Sequence, residues 1–189
     1  MPRPNWFFGF PFEGSFVLEL PEPPAALRRF HPEDVHMTLA FLGGCGQATA
    51  ERALARLDAE LSRADVRSLE VSLGDVVPMG APKRYTALSA LLDDGRVAAT
   101  ACLTDLGGEL CETALGRRPS RPAKPHVTVA RPRRRAGDAD RDAGLAWART
   151  LELGSVRRTL DRIALYTWAE VRRERLFRIV AERKLGPAR

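Results

Sequence analysis

The sequence predicts an α+β protein with antiparallel strand pairing. Three observations carry this. Two segments show amphipathic helical spacing, several short apolar segments read as strands, and a C-terminal pair of strands is joined by a charged turn. Trp6 to Phe10 reads as an aromatic strand and Pro21 to Pro24 as a turn. Val35 to Leu42 is a second strand, stopped by Gly43-Gly44. Ala50, Ala53, Leu54, Leu57 and Leu61 recur at three and four, predicting a helix over about 48–63. Leu69 to Val77 and Tyr85 to Leu92 are strands, the latter turned by Asp93-Asp94-Gly95. Ala99, Leu103, Leu106, Leu110 and Ala114 predict a second helix, with Gly107-Gly108 arguing against its continuity. Arg117 to Pro125 is a loop with three prolines, and His126 to Ala130 a short strand. Arg131 to Gly144 reads as a mobile loop, basic then acidic. Leu160 to Thr167 and Leu176 to Ala181 form the closing pair around Glu170 to Arg175.

The chain of 189 residues suits a single domain spanning 1–189, built from two lobes that share a site. No apolar run is long enough to cross a bilayer. The N-terminus lacks a continuous apolar stretch and a small-residue cleavage site. Cys45, Cys102 and Cys111 are odd in number and form no CxxC pair, which argues against a disulfide framework or a zinc knuckle. A reducing cytoplasm is the expected location. No cofactor, metal or obligate protein partner is implied. The net charge is +6, and Arg117, Arg118, Arg121, Lys124, Arg131, Arg133, Arg134 and Arg135 crowd around position 126. Such a cluster concentrates a phosphate-bearing partner such as RNA or a nucleotide.

Chemistry is carried by a repeated motif. His36-Met37-Thr38-Leu39-Ala40 recurs as His126-Val127-Thr128-Val129-Ala130. With the strand period of two, His, Thr and Ala share one face and the apolar residues the other. Two such strands side by side would set two imidazoles and two hydroxyls around one cavity, with the alanines leaving room for a substrate. One neutral imidazole can take a proton from water, and the other, protonated, can give one to a leaving oxygen. The threonine hydroxyls can donate to oxygens that gain charge in the transition state. His31, the third histidine, sits in a Pro-Glu-Asp turn, and His31, His36 and Cys45 match no common metal spacing.

At these residues the sequence resembles the two-histidine (2H) phosphoesterases, most closely the RNA 2′,3′-cyclic phosphodiesterase or 2′-5′ RNA ligase branch. HMTLAFLG (His36 to Gly43) and HVTVAR (His126 to Arg131) carry the resemblance. The N-terminal strand Phe7 to Phe10 and the C-terminal hairpin around Leu165-Tyr166 extend it over nearly the whole chain. It implies a bilobal, pseudo-symmetric α+β fold, with two antiparallel sheets around a central cleft and helices outside. It implies His36 and His126 as catalytic residues and Thr38, Thr128 and Arg131 as phosphate-binding residues. Arg131 has the parity of the core-facing valines, so it would act from the strand end or after a twist, with a structural salt bridge as the alternative role. Gly9-Phe10-Pro11-Phe12-Glu13-Gly14 and the segment 131–144 depart from the branch's pattern.

Phe8, Phe10, Tyr85, Tyr166 and Trp168 are candidate base-stacking residues, with Phe10 and Tyr166 preferred. The expected substrate is a 2′,3′-cyclic phosphate on RNA or a nucleotide, opened to a 2′-phosphate. His126 is taken as base and His36 as acid, with the reverse order open. Alternative readings are a 2′-5′ phosphodiesterase, an RNA ligase, or a non-catalytic nucleotide- or RNA-binding module. Retention of both histidines and both threonines speaks against the last.

Overall fold

A computed structural model describes residues 3–187 of the chain. The strands are β1 (Trp6–Pro11), β2 (Leu27–Arg29), β3 (His36–Gly43), β4 (Leu69–Met79), β5 (Ala87–Leu92), β6 (His126–Pro132), β7 (Arg157–Leu160), β8 (Arg162–Trp168) and β9 (Phe177–Lys184). The helices are α1 (Phe16–Glu19), α2 (Gln47–Arg63), α3 (Arg96–Leu115) and α4 (Asp138–Ala148). The fold is α+β, and every pairing between these strands is antiparallel.

The two expected sheets are the two halves of one strongly curled path. Its strand order is β7-β4-β5-β6-β3-β1-β8-β9, with β2 also paired to β6. Each half therefore ends, at the seam, in a strand that begins with a motif histidine. Register across the seam rests on one pair, Met37 with Val127. Beyond that pair β3 leaves β6, and β2 takes over the same edge at Ala130 to Pro132.

Helix α3 packs on β3 and on α2, and α4 lies beside β4 and β5. Between sheet and helices the core is continuous, and it includes Phe8, Phe10, Met37, Leu42, Leu57, Leu88, Leu110, Val127 and Val129. The double glycine does not interrupt α3. A side chain at Gly107 would collide with the carbonyl of Leu39, so this glycine lets α3 settle directly on β3.

The segment 131–144 is not a mobile loop. Strand β6 runs on to Pro132, and α4 begins at Asp138. The carboxylate of Asp140 accepts the Gly137 amide at 2.8 Å, and Asp138 and Asp140 place negative charge in the first turn. The Tyr85 hydroxyl donates to the Arg141 carbonyl at 3.0 Å, and Trp147 is buried. Tertiary contacts hold a helix whose sequence, rich in charge and interrupted by Gly144, shows little apolar periodicity. Strands β2 and β7 also form where no strand was expected; both are short and held by pairing, β2 on β6 and β7 on β4. No helix among the described residues is long and apolar enough to cross a membrane.

Candidate active site

The antiparallel pair Met37–Val127 sets the site. It places His36 across from Thr128 and Thr38 across from His126, and the relation is the same read from either strand. In both histidines Nδ1 lies 2.6 Å from the carbonyl oxygen two residues earlier, Asp34 for His36 and Lys124 for His126. A carbonyl only accepts, so Nδ1 carries the hydrogen and donates it. Each Nε2 is left as the nitrogen without a hydrogen in the neutral ring, and each ring is held in one tautomer.

His36 is the buried member. Its ring lies 4.7 Å from Phe7, 5.3 Å from Tyr166 and 5.5 Å from Phe177, centroid to centroid. Gly9 makes room for it, since a Cβ there would stand 3.0 Å from the Met37 carbonyl and 3.4 Å from the imidazole. Burial pushes the His36 pKa down to about 4; the hydrogen bond to Asp34 acts the other way, and the charges of Arg131 and His126 add to the lowering. His126 is half-buried and lines an open cavity with Thr38. Its pKa is also lowered, first by burial, against the Lys124 hydrogen bond and with the charges of Lys124 and Arg131.

Asp34 supports His36 from behind. Its carboxylate is buried and accepts the amides of Leu176 at 2.7 Å and Phe177 at 2.9 Å. Arg175 pairs with Glu33 next to it. The hairpin that carries Phe177 is thus tied to the carbonyl that orients His36. Asp34 was not singled out in the sequence; an acidic residue two before the motif histidine was its only signal. His31 is exposed, and its Nδ1 accepts the Glu33 amide at 3.2 Å, capping the turn Pro32–Asp34.

The expected common face of His, Thr and Ala ends at the threonine. Phe8 pairs with Ala40 but Gly9 with Thr38, so Leu39 is an extra residue in β3. Leu88 pairs with Ala130 but Ser89 with Thr128, so Val129 is an extra residue in β6. Each is a β-bulge, and a bulge reverses the parity of the residues beyond it. Ala40 and Ala130 turn into the core rather than towards a substrate. The residue after each alanine, Phe41 in β3 and Arg131 in β6, turns to the site face and is exposed. Arg131 therefore reaches the site through a bulge, and its guanidinium lies 5.1 Å over the Phe30 ring.

The threonines differ. Thr128 is buried, its hydroxyl 3.2 Å from that of Ser89. Thr38 is half-exposed and faces Gly9. Two aromatic expectations need correction. Phe10 lies fully in the core and has no ring face open to a base. Tyr166 does face the site, but it is stacked on Phe7 at 4.8 Å and walls in His36. Phe8 and Tyr85 are core residues, and the face of Trp168 is covered by the Arg172 guanidinium at 4.2 Å. Phe7, Asp34, Phe41 and Ser89 are the site residues that reading the sequence missed. No group of three or more His, Cys, Asp or Glu among the described residues could hold a metal ion, and all three cysteines are free thiols.

No protein-family model matches the chain, and no curated protein matches its sequence. Solved structures share its fold over nearly the full length. One, described as a phosphoesterase, is 20% identical with a TM-score of 0.69, and the match covers 96% of this chain and 98% of that one. E. coli LigT complexed with ATP is 19% identical with a TM-score of 0.66, covering 98% of this chain and 99% of that one. A Thermus thermophilus protein, TT0787, is 17% identical with a TM-score of 0.66, covering 98% and 100%. The chain therefore shares the fold of these solved structures, and its two His-x-Thr motifs lie on the strands that join the halves.

Proposed function

We propose that the chain is a metal-independent phosphodiesterase that opens 2′,3′-cyclic phosphates of RNA or nucleotides to 2′-phosphates. The observation that carries this is the matched pair of imidazoles at the seam, each fixed through Nδ1–H and each left with Nε2 for proton transfer. The nucleotides held by the similar fold of E. coli LigT, ATP, NADP+ and 3′-AMP, support a nucleotide substrate.

Burial favours His36 as base, because it is kept neutral, and His126 as acid, because it borders the open cavity. This reverses the order taken from the sequence. Water attacks phosphorus as His36 Nε2 takes its proton. The P–O3′ bond breaks, and His126 gives its proton to O3′. Thr38, Thr128 and Arg131 supply hydrogen bonds and charge to the non-bridging oxygens.

The test is to incubate the protein with a 2′,3′-cyclic nucleotide and EDTA and separate the isomers. A 2′-phosphate is expected. A 3′-phosphate defeats the regiochemistry, and activity restored only by a divalent ion defeats the mechanism. An aryl phosphodiester, whose leaving group needs no acid, sorts the roles: it should spare His126→Ala and not His36→Ala.

A further inference from the structure

The cavity beside the site is larger than the catalytic groups require. It measures about 970 Å³, runs outward from Thr38 and His126, and is bordered by β3 and by the loop before β6. That is the upper end of the range for small-molecule sites, about 300–1,000 Å³. Its lining contains no acidic side chain. Arg84, Arg121 and Lys124 line it, are exposed, and form no ion pair among the described residues. Arg118, also in the wall, is by contrast committed to Glu109 and Glu112. Three uncommitted cations facing one cavity are an unsatisfied demand for negative charge. Pro119, Pro122 and Pro125 restrain the loop that carries two of them.

Phe41 stands in the same wall. The bulge at Leu39 turns it from the core, and 55% of its surface is exposed. Phe7 and Tyr166 are buried against His36, Phe10 lies in the core and Trp168 is covered, so Phe41 is the aromatic here with a face to offer. An exposed ring beside free cations and a catalytic centre is the arrangement that binds single-stranded nucleic acid, where bases stack and cations follow the backbone.

We infer that this cavity is a subsite for a second phosphate: Phe41 stacks a base of the substrate, and Arg84, Arg121 and Lys124 hold the phosphate on its 5′ side. The inference rests on the proposed phosphodiesterase reading and narrows its substrate to one with a 5′-phosphoryl group beyond the scissile phosphate. Such a phosphate comes from an RNA strand or from a 5′-phosphorylated mononucleotide.

Three cyclic substrates separate these cases: a 2′,3′-cyclic nucleoside phosphate, the same with a 5′-phosphate, and a dinucleotide ending in the cyclic phosphate. The two bearing the extra phosphate should show kcat/KM about tenfold higher, the scale of one base stack or phosphate contact. An advantage confined to the dinucleotide assigns the site to a strand. One shared by both assigns it to the phosphate itself. Arg84→Ala with Arg121→Ala should erase the advantage, flatten the salt dependence, and leave the unphosphorylated substrate unchanged. Phe41→Ala should raise KM with little change in kcat. Equal kcat/KM for all three substrates overturns the subsite and leaves the chemistry standing. If none is turned over, the Kd values of a 3′-phosphorylated dinucleotide and a 3′-mononucleotide decide. Tighter dinucleotide binding that is lost in the double variant supports the subsite, and equal or absent binding overturns it.

Discussion

The two motifs share a spelling and a tautomer but not an environment. His36 lies in an aromatic nest behind Gly9, and His126 at the rim of an open, basic cavity. Thr38 faces a glycine and Thr128 a serine hydroxyl. After the bulges one strand presents Phe41 and the other Arg131. In the proposed mechanism repetition supplies the paired acid and base, and divergence around it separates their roles: one group kept neutral and dry, the other within reach of solvent and substrate. It also shows why a motif match alone does not fix which histidine does what.

The largest test of that division is removal of either histidine. His36→Ala and His126→Ala should each lower turnover by about 10²–10⁴-fold, and the double variant should lose less than the product, because the two act as a unit. Near-normal turnover in either one would remove that half from the mechanism. Next come the hydroxyls. Thr38→Val and Thr128→Val should each cost about 10²–10³-fold in kcat rather than in KM, as expected for donors to developing charge. A pure KM effect would reduce them to substrate holders.

The third test is stability against pH. His36 has its pKa lowered from 6.5 to about 4, so between those values the unfolded chain binds a proton that the folded chain refuses. Stability falls as pH drops through that window, by about 3 kcal/mol from this residue, and is regained above pH 6.5. His126 acts in the same direction. Melting curves from pH 7 to 4 should be shallower for His36→Gln than for wild type; parallel curves would mean that His36 is not desolvated. The smallest effect is expected from Ser89→Ala. It removes the partner of Thr128 and should cost about 0.5–1.5 kcal/mol in stability or transition-state energy, with no counterpart in the other half, where Gly9 already stands. An effect as large as that of Thr128→Val would make Ser89 an equal donor.

Much of this was legible in the sequence. The motif strands, helices α2 and α3 and the β8–β9 pair follow from periodicity, and the paired His-x-Thr follows from repetition. What was not legible depends on partners distant in the chain. Helix α4 is fixed by Tyr85 and a buried Trp147, not by its own apolar spacing. Phe10 was preferred as a stacking residue for its place near a strand end, but the strand's alternation turns it, with Phe8, into the core and gives the site face to Phe7. Unbroken parity sets Arg131 with the core-facing valines and would set Phe41 with Met37 and Leu39, and the register against β1 and β5 breaks it. Asp34 is bound to residues more than a hundred positions away, which no local pattern announces.

Leu39 and Val129 touch no substrate in the proposed mechanism, and any apolar residue of similar size would fill their places in the core. Their importance lies in being counted. A residue added to the facing strand, between Phe8 and Gly9 of β1 or between Leu88 and Ser89 of β5, would leave the motif intact, yet would take up the bulge and turn Phe41 or Arg131 away from the site. Part of the specificity of this chain is therefore written as length, in a surplus residue at the same place of each motif. Two sequences that agree letter for letter at His, Thr and Ala but differ by a single insertion would present different walls to the same phosphate.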